Sequence, residues 1–299
     1  MENAVVLKAE LACKAAATLG EGALWDPRVE KLLWVDIEKQ VLHAFAPRSG
    51  KDDCWPMPAR ISTVVPVAEG GYLVALQTGI YYFNSQTGHL NLLVNPVKQP
   101  EIRFNDGKCD PAGRFWVGTI HMAGMPQAAT LYRYDPDGAL QPMLEGVTNS
   151  NGIAWTADGR TMYYIDTPTQ SVQAFDFDPA GGQMANRRVA VRIPAACGAP
   201  DGMTIDANDC IWVALYGGGA VHCYDPVRGR LLYRVEVPAP HTTSCAFGGT
   251  ALKTLFITTA RQELSNSELK QYPDSGSIFS VECPVAGVPP LYFGNRKNR

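Results

Sequence analysis

At 299 residues, with 18% charged and 46% hydrophobic residues, the chain has the composition of a globular protein, and 28 Gly with 22 Pro point to many turns. A net charge of -3 gives no electrostatic pull on nucleic acid. No apolar run approaches the roughly 20 residues that span a bilayer as a helix, so a helical membrane protein is excluded.

The opening MENAVVLKAELACKAAATLG lacks the basic start and unbroken apolar core of a signal peptide, and the glutamate in ELAC argues against lipid attachment at Cys13. A cytoplasmic location is expected. The eight cysteines are scattered and form no CxxC pair, which predicts buried free thiols rather than disulfides.

In chain order, NAVVLKAEL reads as a lone strand. GEGALWDPRVEKLLWVDI from Gly20 reads as two strands about an Asp-Pro turn, and VLHAFAPRSG opens a second hairpin. STVVPVAEGGYLVALQTG from Ser62 and GIYYFNSQTGHLNLLV repeat that plan. So do RFNDGKCDPAGRFWVGT from Arg103 with TLYRYDPDGALQPML, and SNGIAWTADGRTMYYID from Ser150 with VQAFDFDPAGGQMANRRVAV. PDGMTIDANDCIWVALY from Pro200 with AVHCYDPVRGRLLYRVEV is the next copy, and TSCAFGGTALKTLFITTA from Thr243 is the sixth. Turns such as DPDG and SQTG fit hairpin chemistry, because Gly, Asn and Asp reach positive φ at little cost. No long segment has an apolar period of 3.6, so helix content should be low. The final GNRKNR is too short a basic run for a binding patch and is expected to fray.

Copies spaced by roughly 40–50 residues are the period of four-stranded propeller blades. Six copies predict an all-β, six-bladed β-propeller over residues 1–299 as one domain, with NAVVLKAEL completing the last blade. A two-sheet sandwich does not predict this period.

Equivalent positions of the repeats hold Glu21, Asn105, Asn151 and Asp201, each next to or near a glycine. In a propeller they converge on the central channel, and hard oxygen donors of this kind suit Ca²⁺, Mg²⁺ or Mn²⁺. Taken singly, each Asn-Gly or Asp-Gly pair is equally a turn dipeptide. Asp106 is read as a turn residue and His121 as a solvent-facing loop histidine. No GxSxG elbow, HExxH helix or phosphate loop is present, and the five histidines form no ligand pattern.

The segments LGEGALWD, RFNDGKCDPAGRFWVGT, SNGIAWTADGRTMYYIDT, VQAFDFD, NRRV, PDGMTIDANDCIWVALYGGG, TTSCAFGG and TLFITTAR resemble, in collinear order, the senescence marker protein, gluconolactonase and luciferin-regenerating enzyme family. The resemblance implies a six-bladed propeller with one divalent cation (Ca²⁺, Mg²⁺, Mn²⁺, Fe²⁺ or Zn²⁺) held by Glu21, Asn151 and Asp201. It also implies Arg103 and Asn105 as substrate contacts, Asn105 lying close to the metal, and Asp201 as acid/base. The implied activity is hydrolysis of a sugar lactone such as glucono-, xylono-, arabinono- or galactonolactone, by a monomer or weak homodimer. A regucalcin-type calcium-binding regulator without catalysis is the rival reading, and a propeller used only as an interaction platform is a third. One departure stands out: after GT, where animal members carry acidic residues, this chain reads IHMAGMPQAAT. Two acids beside one cation are expected to have lowered pKa values.

Overall fold

The computed structural model describes residues 4–294, and the terminal Asn295–Arg299 of the predicted frayed tail lie outside them. Six sheets, each with four antiparallel strands, follow one another around the ring, the arrangement of a six-bladed β-propeller. Their innermost strands are Gly20–Asp26, Ile61–Pro66, Ile102–Cys109, Ser150–Trp155, Ala199–Ile205 and Thr242–Gly248. These fall on the six repeats read from the sequence. We number the blades one to six in that order.

Alternation within each strand places one set of side chains against the preceding blade and the other against the following one. Both faces are therefore covered, which is why the inner strands are almost continuously buried. Trp34, Trp116 and Trp212 occupy the second strands of blades one, three and five and are fully buried. Burying a large apolar side chain contributes roughly 1.5–3 kcal/mol, so each of these residues adds that much to the packed core.

Closure of the ring differs in part from expectation. Glu10–Cys13 completes blade six by pairing antiparallel with Ile278–Glu282. Val5–Lys8 instead pairs parallel with Arg230–Glu236 and becomes a fifth strand of blade five. The described part of NAVVLKAEL is thus divided between two neighbouring sheets, because the chain passes at Ala9 from one outer edge to the next.

The cysteines form no disulfide among the described residues, as expected, but only Cys109, Cys223, Cys245 and Cys283 are buried. Cys54 is exposed and the other three are half-buried, because they stand near turns or on outer strands. The one α-helix among the described residues, Asn266–Gln271, carries a capping box in which Ser265 and Glu268 satisfy each other's backbone N–H. Among the described residues, no helix is long and apolar enough to cross a membrane.

Candidate metal centre and substrate cavity

The registers of the innermost strands slip between Glu21 and Leu24, Phe104 and Gly107, Ser150 and Ile153, and Pro200 and Met203. A bulge adds an unpaired residue and re-aims the side chains beside it. Here the bulges bring Glu21, Asn105, Asn151 and Asp201 to the wall of one cavity of about 610 Å³, which Arg103 also lines. All five residues singled out from the sequence therefore lie together.

The accompanying glycines are not turn residues. A Cβ on Gly152 would sit 2.5 Å from Met203 Cβ, and one on Gly202 would sit 2.5 Å from Ser244 Oγ. Neighbouring inner strands approach too closely at this level for any side chain.

Asp106 also departs from the sequence reading. It lies within the strand beside the bulge, is 7% exposed, and lies near Glu21 and Asp201 electrostatically. Its Oδ1 accepts the Gly107 N–H at 2.7 Å, whereas its buried Oδ2 has no hydrogen-bond partner.

From the protein's own groups, burial pushes the Glu21 carboxyl up to about 8, with the Asp106 charge adding to the effect. Burial, then Glu21 and Asp106, push Asp201 well above the usual carboxylate range. Arg103 opposes both shifts, and the Gly22 N–H at 3.1 Å opposes that of Glu21. The expected lowering assumed a cation. In the protein alone, desolvation and mutual repulsion outweigh the single guanidinium, and the direction reverses. Two buried carboxyls and an amide oxygen on the cavity wall, with the Asp106 carboxyl near enough to be felt by both, form a hard-oxygen set short of positive charge, and a divalent cation fits it.

A second set of contacts fixes the orientation of these donors. Arg103 Nη1 donates to Asn105 Oδ1 at 2.6 Å and to Phe104 O at 2.9 Å. Asn105 Nδ2 donates to Ser150 O at 2.7 Å and to Asn151 Oδ1 at 3.2 Å. Asn151 Nδ2 donates at 2.8 Å to Thr167 Oγ1, and that hydroxyl gives its own proton to Pro200 O at 2.8 Å. Because the Thr167 proton is committed, the residue can only accept from Asn151, and this holds the amide in one orientation. Thr167 follows the second strand of blade four, where the repeat gives no signal of its role.

The mouth of the cavity is polar and asymmetric. Ile120, Met122 and Gly124 bring the IHMAGMPQAAT loop to one side. Acidic groups come from elsewhere: Glu38, bonded to Arg60 at 3.0 Å, and Glu263, which accepts from Tyr216 Oη at 3.1 Å. His121 does not face solvent freely. It is half-buried, and its Nδ1 accepts the Ala123 N–H at 3.2 Å within its own loop.

The sequence matches the SMP-30/Gluconolactonase/LRE-like region over residues 19–261. The chain belongs to this family. It is 37% identical to a candidate sugar lactone lactonase of Bacillus subtilis strain 168, covering 96% of this chain and 99% of the relative. It is 35% identical to the regucalcin of Danio rerio, over 96% of this chain and 98% of the relative. Its fold superposes on the crystal structure of a calcium-binding regucalcin from Agrobacterium tumefaciens with a TM-score of 0.93 at 27% identity, covering 97% of this chain and 99% of that one. Within the SMP-30/gluconolactonase family, this chain's acidic mouth residues Glu38 and Glu263 stand on segments outside the loop that follows Gly118–Thr119.

Proposed function

We propose that the protein is a divalent-cation-dependent sugar lactonase, acting as a single propeller domain in the cytoplasm on aldonolactones such as glucono-, xylono-, arabinono- or galactonolactone. The observation that carries this reading is the meeting of Glu21, Asn151 and Asp201 with Arg103 and Asn105 in one polar cavity. The family membership and the lactonase relative support the reaction class, and eight unbridged cysteines support a reducing compartment.

Glu21 and Asp201 carboxylates and the Asn151 Oδ1 would hold the cation. When bound, the cation supplies Lewis acidity to the lactone carbonyl and the positive charge that returns both carboxyls to their ionised forms. Asp201 accepts the proton of the attacking water and returns it to the ring oxygen as the acyl C–O bond breaks. Arg103 Nη1 is committed to the protein, while its Nε and Nη2, which make no protein hydrogen bond among the described residues, donate to substrate hydroxyls. Asn105 holds Arg103 against the wall and keeps Asn151 in register.

The test is a panel of pentono- and hexonolactones, each assayed with Ca²⁺, Mg²⁺, Mn²⁺, Fe²⁺ and Zn²⁺. The expected result is cation-dependent ring opening far above buffer, with Asp201→Asn retaining the cation and losing most turnover. Lactones opening no faster than buffer under every cation would overturn the reading and leave a calcium-binding protein of the kind named among its relatives. Normal turnover by Asp201→Asn would remove Asp201 from the proton-transfer role.

A further inference from the structure

Blades three and five end their innermost strands on the same device. In blade three, Asp110 Oδ1 accepts the backbone N–H groups of Ala112 and Arg114 at 2.9 and 3.0 Å. Its Oδ2 accepts from Trp116 Nε1 at 2.9 Å and from Arg114 Nε at 2.5 Å. In blade five, Asp206 Oδ1 accepts from the N–H groups of Asn208 and Cys210 at 2.9 and 3.0 Å, and Oδ2 accepts from Trp212 Nε1 at 2.9 Å. The two turns match bond for bond except at one place. Where Arg114 brings a guanidinium, blade five has Cys210. Asp26 in blade one is likewise held by an arginine, Arg28, at 2.8 Å.

Asp206 is 1% exposed and makes no ion pair among the described residues. In place of an arginine it meets two thiols. One ligand atom each from Asp206, Cys210 and Cys223 lie within 4.8 Å of one another. Cys223 enters from the third strand of the blade, and Cys210 is half-buried at the turn, which opens a path from solvent. Cys283, buried in blade six, is a further sulfur close enough to influence Cys223 electrostatically.

We propose that Asp206, Cys210 and Cys223 form a second cation site, selective for a thiophilic divalent ion of the Zn²⁺ type, which takes the position that arginine fills in the sister blades. Two sulfurs and one carboxylate oxygen are a zinc-like donor set, unlike the all-oxygen set around Asp201. Tetrahedral Zn–S and Zn–O bonds of about 2.3 and 2.0 Å need donors roughly 3.5 Å apart, so donors that already lie within 4.8 Å of one another close in by at most about 1.3 Å. Both thiol protons leave to solvent on binding, and no oxidation or reduction occurs. The third and fifth blades then satisfy the same buried carboxylate by different cations. Asp201 and Asp206 stand five residues apart along and just beyond one strand, which separates the two sites by at most about 16 Å.

The test uses the reduced, chelator-treated full chain titrated with Cd²⁺ as a spectroscopic probe and with Zn²⁺ as competitor. One equivalent of Cd²⁺ should give the ultraviolet thiolate-to-metal absorption, Zn²⁺ should remove it, and Glu21→Gln should leave it intact. Cys210→Ser should lose the absorption and weaken Zn²⁺ binding there at least tenfold. Any lactone turnover should be unchanged in this variant. Cys210→Arg, which installs the third blade's arrangement, should abolish the site while the protein stays folded by circular dichroism. Absence of thiolate absorption in the parent, its survival in Cys210→Ser, or a Cys210–Cys223 disulfide that Zn²⁺ fails to block would each overturn the proposal.

Discussion

Thr167→Val tests how far the cavity depends on a hydroxyl whose donor and acceptor roles are both taken by protein partners. Valine keeps the shape of threonine and removes the oxygen that accepts from Asn151 Nδ2 at 2.8 Å. A buried donor left without an acceptor costs about 1–3 kcal/mol. Loss of an outer contact to a metal ligand typically weakens binding 10–100-fold, which is about 1.4–2.7 kcal/mol, so the two estimates overlap. Asn105 Nδ2 still donates to Asn151 Oδ1 at 3.2 Å, which opposes complete reversal of the amide. The expected result by calorimetric titration is a cation Kd raised 10–100-fold, with Thr167→Ser close to the parent and circular dichroism unchanged. At saturating cation, kcat should return to within a few-fold of the parent. A Kd within twofold of the parent, or equal losses in the serine and valine variants, would refute a positioning role for the hydroxyl.

Asp106→Asn removes a buried carboxyl whose Oδ2 has no partner and whose charge raises Glu21 and Asp201. In chelator, the variant should gain on the order of 1 kcal/mol of stability, read by denaturant unfolding, while binding the central cation more weakly. Unchanged stability together with unchanged cation affinity would show that the charge of Asp106 does not reach the site. His222 is held neutral by burial, which lowers its pKa from 6.5 to about 4, with the Arg234 charge assisting. The unfolded chain therefore binds this proton more readily, and stability falls as pH drops from about 6.5 towards 4, by up to about 3 kcal/mol. His222→Gln should flatten that part of the Tm–pH curve, and an unaltered slope would refute the assignment.

The repeats made the ring legible because each blade spends the same Gly- and Asp-rich turn at the same interval. They also placed Glu21, Asn105, Asn151 and Asp201 in register, and these residues share one cavity. What could not be read was the local backbone. Asn151-Gly152 and Asp201-Gly202 look like turn dipeptides but are bulges, required by contacts to Met203 and Ser244 from adjoining blades. Asp106 was misread for the same reason: its burial comes from the packed ring, and its own neighbours in sequence do not announce it. Glu38 and Thr167 lie on equivalent connections of blades one and four, where Asp36 and Asp166 and Gln40 and Gln170 recur but the residues between them differ, so periodicity does not announce either role; Glu263 lies on a segment outside the innermost strands. The division of NAVVLKAEL between blades five and six likewise depends on two outer edges that meet only after the ring has formed.

The seam of the ring lies beside the candidate centre. Thr243 of blade six donates its hydroxyl to Gly20 O of blade one, immediately before Glu21. Glu21 belongs to the first blade and Asp201 to the fifth, and the Glu10–Cys13 strand paired with Ile278–Glu282 joins the two ends of the ring that holds them. A half-made chain holds at most part of the donor set. An ion spanning Glu21, Asn151 and Asp201 would act as a belt across blades one, four and five, stabilising the closed ring according to its concentration and affinity. Loss of cation affinity during slow heating would then report the opening of the seam before the sheets themselves come apart.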